Sequence, residues 1–286
     1  MNWTPKLSIA IPASLVSDTP HLREKTYKIG MIGRAAAIFR VEEIIIYPDQ
    51  PDKDQRKDAR LIELILSYME APQYLRKRIF KLRPELRYVG VLPPLRTPHH
   101  PTTSRAEELR IGEYREGIVI SSTKEGSRVY IGVEKPALIK GVKLPSRKRV
   151  TVKIRSLDKR IEAEVADRSE IKEYWGYKVT VSRKPLGNIL KKWDLVVATS
   201  RYGISFARVK DKLAQEWKKA KSRIIVFGSP TAGLYEILEK EGLNLDEIAD
   251  FVINTIPMQG VKTVRTEEAV YASLAILNVF LSNNQV

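Results

Sequence analysis

The sequence of 286 residues predicts an α/β fold: a parallel sheet covered by helices and interrupted by an inserted β-barrel. Three observations carry this. Short β-branched runs such as Ile44-Ile45-Ile46 alternate with helix-length stretches at both ends of the chain, the pattern of βα units. The middle of the chain instead carries five short strand-like runs with little helix, the pattern of a small barrel such as an OB-fold. In the last third, two strand-like runs end in Gly/Pro loops, Val226-Phe227-Gly228-Ser229-Pro230 and Ile253-Asn254-Thr255-Ile256-Pro257-Met258-Gln259-Gly260. Loops of this kind at the carboxyl edge of a parallel sheet are where ligands bind.

Taken in order, Leu7 to Leu15 is an apolar strand that stops at Pro12 or shortly after it. Thr19-Pro20 then opens a helix over about His21 to Arg40, with Leu22, Tyr27, Met31, Ala35 and Ile38 close to helical spacing. Glu42 to Tyr47 reads as a buried strand, and Asp54 to about Glu70 as a helix. Gly90 to Ser104 holds Pro93, Pro94, Pro98 and Pro101, which can continue neither a helix nor a central strand, so it is a linker. The barrel strands are Gly117 to Ser121, Arg128 to Val133, Ala137 to Lys143, Arg149 to Ile154 and Ile161 to Val165. The α/β pattern resumes with strands at Tyr177 to Ser182, Leu195 to Thr199, Arg223 to Phe227 and Phe251 to Thr255. Helices follow them at Leu186 to Trp193, Ser205 to Ala220, Ala232 to Glu241 and Thr266 to Leu281. One α/β domain therefore spans residues 1–94 and 172–286, and the insert spans 95–171.

A hydrophobic fraction of 43% supplies a core for such domains. Lys and Arg number 50 against 34 acids, a net charge of +16 that folding does not need and that points to an anionic partner, nucleic acid first. A thermophile-type surface would instead raise both signs together. The absence of cysteine excludes disulfides, thiolate catalysis, zinc fingers and iron–sulfur sites. Of the three histidines, His99 and His100 fall in the proline-rich linker as an expected solvated pair, and no metal site is expected. The amino terminus shows no secretory pattern, and no apolar run approaches the roughly 20 residues a membrane helix needs. A soluble, cytoplasmic protein is expected.

Single motifs have bland readings beside the functional ones. Ser229 and Pro230 suit the start of a helix, whereas Gly228 would let a ligand approach the backbone. Thr199-Ser200-Arg201-Tyr202-Gly203 is an ordinary turn with Gly203 at positive φ, or part of a cradle. Convergence of both loops with Asn254 to Gly260 at one sheet edge is the more specific signal. In Arg265-Thr266-Glu267-Glu268, Thr266 caps the last helix and the acids favour its positive end, which leaves Arg265 unexplained. That helix is apolar on nearly every face, through Val270, Tyr271, Leu274, Ile276, Leu277, Phe280 and Leu281, so it is deeply buried or packs on another subunit. Lys140, Lys143, Arg147, Lys148, Arg149, Lys153 and Arg155 form a basic strip on the insert, either a solvated face or an RNA-binding ribbon. A second basic run, Arg76 to Arg87, precedes it.

The loops Gly228-Ser229-Pro230 and Ile253-Asn254-Thr255-Ile256-Pro257, with the apolar last helix, resemble the SPOUT methyltransferases. Leu7-Ser8-Ile9-Ala10-Ile11-Pro12, Thr26-Tyr27 and Arg34-Ala35-Ala36-Ala37-Ile38-Phe39 are similar to its archaeal and eukaryotic RNA methyltransferase branch, which carries an OB-like insert. The resemblance implies a trefoil-knot domain that binds S-adenosylmethionine and a homodimer formed through it. Cofactor contacts would then come from Thr199, Arg201, Gly203, Phe227, Gly228, Ser229, Asn254, Thr255, Ile256, Pro257, Gly260, Val264 and Thr266. Ribose 2′-O members have a Ser-Leu-Asn-type motif before the last helix, where this chain has Val264-Arg265-Thr266-Glu267-Glu268-Ala269. That is similar to the Leu-Arg-Thr-Glu-x-Ala motif of bacterial rRNA uridine-N3 methyltransferases, so a base nitrogen, uridine N3 in rRNA, is the expected target. Arg34 and Arg265 are the candidates to stabilise the developing uridine anion, and Glu267 to act as base. Competing readings are a ribose 2′-O or guanine-N methyltransferase acting on rRNA or tRNA, and a non-catalytic RNA-binding or assembly factor that keeps the cofactor fold. Nucleotide-binding α/β chemistry is weakened by the lack of a P-loop or a dinucleotide fingerprint.

Overall fold

The structure, a computed structural model, describes residues 6–282; residues 1–5 and 283–286 and the side chains of Lys6, Phe280, Leu281 and Ser282 lie outside the described residues. In chain order, β1 (Lys6–Pro12), α1 (Leu22–Ile38), β2 (Glu43–Tyr47) and α2 (Arg56–Glu70) precede a short helix, α3 (Gln73–Ile79). Five strands follow: β3 (Tyr114–Ser122), β4 (Gly126–Tyr130), β5 (Ala137–Lys140), β6 (Arg149–Ser156) and β7 (Glu162–Val165). The chain continues through β8 (Lys178–Val181), α4 (Leu186–Leu190), β9 (Leu195–Ser205), α5 (Phe206–Lys219) and β10 (Ser222–Val226). It ends with α6 (Leu234–Glu239), α7 (Leu245–Ile248), β11 (Phe251–Asn254) and α8 (Thr266–Ser282).

One compact unit contains the segments up to Met69, Glu85–Pro94 and those from Tyr177 onward. Its sheet is parallel throughout, in the order β11-β9-β10-β1-β2-β8. The continuous β-branched runs are explained by burial on both faces. Ala10, Ile45, Tyr47, Val196, Ala198, Ile224 and Val226 pack with α4 and α6 on one side. Their neighbours Ile9, Ile11, Ile44, Ile46, Val197 and Ile225 are equally buried on the other.

Several local expectations are corrected. The first strand does end at Pro12, as expected, but the apolar residues beyond it form a 3-10 turn over Ala13–Val16. Helix α1 starts at Leu22 behind His21 rather than behind Thr19-Pro20, and no side chain caps it. The strand expected to end at Thr199 does not end there. It leaves the ladder after Ala198 and re-pairs at Ile204 and Ser205, opposite Ile253 and Asn254, so residues 199–203 form an excursion within β9. Gly203 has no positive φ; it closes the excursion by backbone approach, because a Cβ there would lie 2.7 Å from the Ile253 carbonyl carbon and 2.8 Å from the Val252 oxygen. Helix α6 begins only at Leu234, capped by Gly233, so Ser229 and Pro230 do not start it.

The second unit contains Glu70–Pro84 and Leu95–Gly176, so α3, which the sequence pattern joins to the sheet domain, clusters with the barrel. Its strands close in the order β3-β4-β5-β7-β6, with β5 and β7 parallel and the other pairs antiparallel. Alternate residues fill the interior, including Val129, Ile139, Val150, Val152, Ile154 and Ala163. His99 and His100 are not a solvated pair. His99 is fully buried, and both rings put Nε2 on the Glu70 carbonyl, at 2.9 and 2.7 Å. Burial pushes each imidazole down to about 4, so both are neutral donors at pH 7. Among the described residues no helix is long and apolar enough to cross a membrane.

Candidate active site

The carboxyl ends of β9, β10 and β11 converge on a cavity of about 220 Å³. Of the residues singled out from sequence, Thr199, Arg201, Phe227, Gly228, Ser229, Asn254, Thr255, Ile256, Val264 and Thr266 line it. Gly203, Pro257 and Gly260 do not line it: Gly203 acts through the strand excursion, and Pro257 and Gly260 lie exposed in the loop beyond. Ser200 and Tyr202, which stand in the Thr199–Gly203 stretch but were not among the expected contacts, also line it, as do Glu236, Lys262 and Ser273, which no local pattern marks.

Most polar side chains of the cavity brace its loops. The Thr199 hydroxyl donates to the Val226 carbonyl at 2.9 Å, and Asn254 Nδ2 donates to the Arg201 carbonyl at 2.9 Å while its Oδ1 accepts from the Ile256 N–H. Arg201 donates to the Lys262 carbonyl at 2.9 Å and lies over the Tyr202 ring, 4.7 Å from its centroid. The Ser229 hydroxyl accepts from the Ala232 N–H at 2.9 Å, which makes it the staple of a turn. This turn fills the space beside Gly228: a Cβ there would come within 3.2 Å of the Ala232 oxygen, so the missing side chain admits the protein's own backbone. Thr255 and Ser273 share a buried hydroxyl pair at 2.8 Å. With these groups committed, recognition falls to exposed backbone, to the apolar walls Phe227, Leu234, Ile253 and Ile256, and to the Glu236 carboxylate. Backbone-rich loops, apolar walls and one acid suit a nucleoside cofactor that carries a positive charge.

The start of α8 departs from expectation. Arg265 accepts the first helical bond, from Ala269, and its own N–H is taken by Glu268 at 2.9 Å. Thr266 is therefore not the cap; it donates to the Gly228 carbonyl at 3.1 Å and ties the helix to the β10 loop. Glu268 supplies the acid expected at the positive end.

A second cavity, of about 600 Å³, lies against the same helical turn and is lined by residues that include Asp18, Arg23, Tyr27, Lys28, Arg265 and Glu267. Consecutive residues at the start of α8 thus serve different cavities: Thr266 lines the first, and Glu267 and the preceding Arg265 the second. Glu267 is 9% exposed, and burial raises its carboxyl above the usual range. Its Oε2 makes no hydrogen bond; the nearest cation is Lys28, 3.6 Å away. Lys28 itself is buried and holds Asp18 at 2.8 Å and 3.0 Å. Sequence reading passed over Lys28 because a lone lysine in a helix carries no pattern. Arg34 is not brought to this cavity: it lies six residues farther along α1, roughly 9 Å along the axis at 1.5 Å per residue, and donates to the Pro94 carbonyl at 2.8 Å.

The basic strip of the barrel divides. Lys143, Arg147 and Lys148 stand exposed on the β5–β6 connection, with no carboxylate partner among the described residues. Lys140 pairs with Glu162 at 2.7 Å, Arg155 pairs with Glu164, and Lys153 lies over the Tyr114 ring. Arg149 is a correction: it is a structural cation, bonded to both Glu70 oxygens at 2.6 and 3.0 Å and to Glu116 at 2.6 Å. Burial alone would raise the Glu116 carboxyl, but Arg149 and the donors Thr151 and Trp175 hold it below its usual range.

The model of a family described as "Putative RNA methyltransferase" matches residues 6–277. An uncharacterized protein of Halobacterium salinarum is 32% identical, over 95% of this chain and 98% of its own length. The human 28S rRNA (uridine-N(3))-methyltransferase is 31% identical, over 95% of this chain and 77% of its own. Among solved structures, the SpoU methyltransferase AviRb from Streptomyces viridochromogenes, in complex with AdoMet, aligns over 98% of this chain and 60% of its own with 13% identity and a TM-score of 0.32.

Proposed function

The chain belongs to this RNA methyltransferase family, and on that premise we propose that it transfers a methyl group from S-adenosylmethionine to N3 of a uridine in ribosomal RNA. The observation that carries the proposal is the first turn of α8, where Thr266 faces one cavity and Arg265 and Glu267 face the other. A donor held in the first and a base held in the second would meet across a single helical turn. The cofactor supplies an already activated methyl, so what remains for the protein is positioning and proton removal.

Each role falls to residues in place. The braced loops at Thr199, Ser229 and Asn254 hold the donor cavity in one shape. The exposed Arg265 offers a cation where a uridine oxygen gains charge, and Glu267 accepts the N3 proton. On the barrel, Lys143, Arg147 and Lys148 would contact phosphates without reading sequence. The relative that is named for uridine N3 and 31% identical over 95% of this chain supports the base over the ribose. The strand order, with β10 between β1 and β9 and with β11 outside β9, is compatible with a trefoil knot, and we include the knot in the proposal. A cytoplasmic homodimer through α1 and α8 completes it, supported by Tyr27, Ile38 and Val279, which stand 54%, 48% and 63% exposed on these helices.

The test is transfer of labelled methyl from S-adenosylmethionine to unmodified total RNA, digested to nucleosides. Labelled N3-methyluridine is the expected product. Label on ribose or on guanine would keep the enzyme and overturn the target, and cofactor binding with no label on any RNA would favour a non-catalytic RNA-binding factor.

A further inference from the structure

Three charged side chains lie in a row beside the second cavity, and only its end member is a candidate for the chemistry. Asp18 accepts from Lys28 at 2.8 and 3.0 Å, and Lys28 stands 3.6 Å from Glu267 Oε2, within ion-pair range and beyond a good hydrogen bond. Lys28 is 6% exposed, so its ammonium cannot be satisfied by bulk water and is shared between two carboxylates. Both hydrogen-bond contacts of the Lys28 ammonium go to Asp18, and Glu267 Oε2 is left buried without a hydrogen bond. The row holds one cation against two anions, with Lys28 and Glu267 buried and Asp18 at its solvent-exposed end, so it carries a net negative charge. Adding a proton to Glu267 makes the row neutral, which a poorly solvated site favours.

Resting on the proposed function above, we infer that Lys28 is a positioning residue for the transfer: by dividing its ammonium between Asp18 and Glu267, it keeps Glu267 ionised yet under-paired, ready to take the proton from an imide N–H of a base seated in the adjoining cavity. Were Lys28 absent, burial would leave Glu267 protonated and useless as a base. Were Asp18 absent, Lys28 would close on Glu267 and satisfy it. The balance of the step is complete: the base nitrogen gains a methyl and loses its proton, the electrons of the broken sulfur–methyl bond stay on sulfur, and the proton rests on Glu267. Burial raises the Glu267 carboxyl, with Lys28 and Arg265 opposing it. Asp18 is held below its ordinary value: partial burial works against this, and the bonds from Lys28 outweigh it. The other charged groups around the row are Arg23 and Glu24 of α1, which line the cavity, and Glu268 of α8, which is turned back to the Arg265 N–H.

The test uses Lys28→Met and Asp18→Asn in the full chain, with two readouts. In carboxyl-labelled protein free of cofactor and RNA, the Glu267 resonance, assigned by its loss in Glu267→Gln, should titrate at higher pH in Lys28→Met and at lower pH in Asp18→Asn. In turnover on RNA, the acid limb of kcat should move in the same two directions, and Lys28→Met should lose about 10²-fold in kcat, the lower end of what a positioned base contributes, with KM changed less than twofold. Lys28→Arg should recover most of that loss. Adding Lys28→Met to Glu267→Gln should cost nothing further in kcat. The inference is overturned if the resonance and the acid limb stay in place in both single variants, or if the double variant shows the two losses multiplied. Should Lys28→Met not fold, the downward shift in Asp18→Asn decides alone, since that variant removes no cation. Wild-type protein without turnover on any RNA would defeat the functional reading instead, and the resonance titration would still judge the row.

Discussion

Replacing Gly203 with alanine should damage stability and cofactor binding together, by amounts that follow from one close approach. The new Cβ would lie 2.7 Å from the Ile253 carbonyl carbon, 2.8 Å from its nitrogen and 2.8 Å from the Val252 oxygen, all backbone of β11. Ordinary contact begins at 3.4 Å, so β11 must retreat by roughly 0.7 Å or the excursion at 199–203 must open. Neither can be absorbed by rotating a side chain. Overpacking of this kind costs about 1–3 kcal/mol. At about 2–4 °C per kcal/mol for a domain of 150–250 residues, the melting temperature should fall by about 2–12 °C. The strand that moves carries Asn254, whose bonds to Arg201 and Ile256 shape the first cavity. If the whole cost is felt in the bound state, at about 1.4 kcal/mol per tenfold, Kd for S-adenosylmethionine should rise about 5- to 150-fold. The assay is calorimetric titration beside thermal melting, with Gly260→Ala as control because open space surrounds a Cβ there. If Gly203→Ala matches Gly260→Ala in both melting temperature and Kd, the close-approach argument is wrong.

Other expectations follow from the same geometry. Glu267→Gln should lower kcat by about 10²–10⁴-fold, the range for a general base, while cofactor Kd from calorimetry stays within twofold. The triple change Lys143→Glu, Arg147→Glu and Lys148→Glu should weaken RNA binding and reduce the slope of log K against log salt by about 2–3, since each phosphate contact contributes roughly 0.7–0.9; an unchanged slope removes this connection from the RNA site. Truncating Arg149 to alanine leaves Glu70 and Glu116 buried with only the more distant Arg168, 3.8 Å from each, and should destabilise by about 3 kcal/mol in denaturant melts, far more than truncating the exposed Lys148. His99 and His100 fall from 6.5 when unfolded to about 4 when folded, so the unfolded chain binds their protons first. The stability they contribute is present above pH 6.5 and drains away as pH falls towards 4; chemical denaturation across that window should show the decline, and replacing both with glutamine should flatten it.

The sheet and the barrel were readable because their signals are local. A strand buried on both faces must be apolar at every position, as Ile44 to Ile46 are, and a barrel strand must alternate, as Val150, Val152 and Ile154 do. The loops after β10 and β11 were readable because small and turn-forming residues cluster there. What stayed hidden depends on distant partners. Arg149 sits in a basic run, yet its fate is set by Glu116, 33 residues away, and Glu70, 79 residues away. The stretch Thr199 to Gly203 looks like the end of a strand, since the pairing at Ile204 that prolongs it comes from β11. Ser229 has the chemistry of a helix cap and uses it on a turn three residues long. Lys28 gave no sign at all: its meaning arises only where α1 passes Asp18 and the start of α8.

The most direct measurement is the structure of the protein bound to S-adenosylhomocysteine and a short uridine-containing RNA. The account predicts the nucleoside in the cavity between Thr199, Gly228 and Ile256, and the uracil in the cavity beside Lys28, with its N3 within about 3 Å of a Glu267 carboxylate oxygen. A ribose 2′-hydroxyl as the atom nearest the sulfur, or a uracil bound away from Glu267, would contradict it.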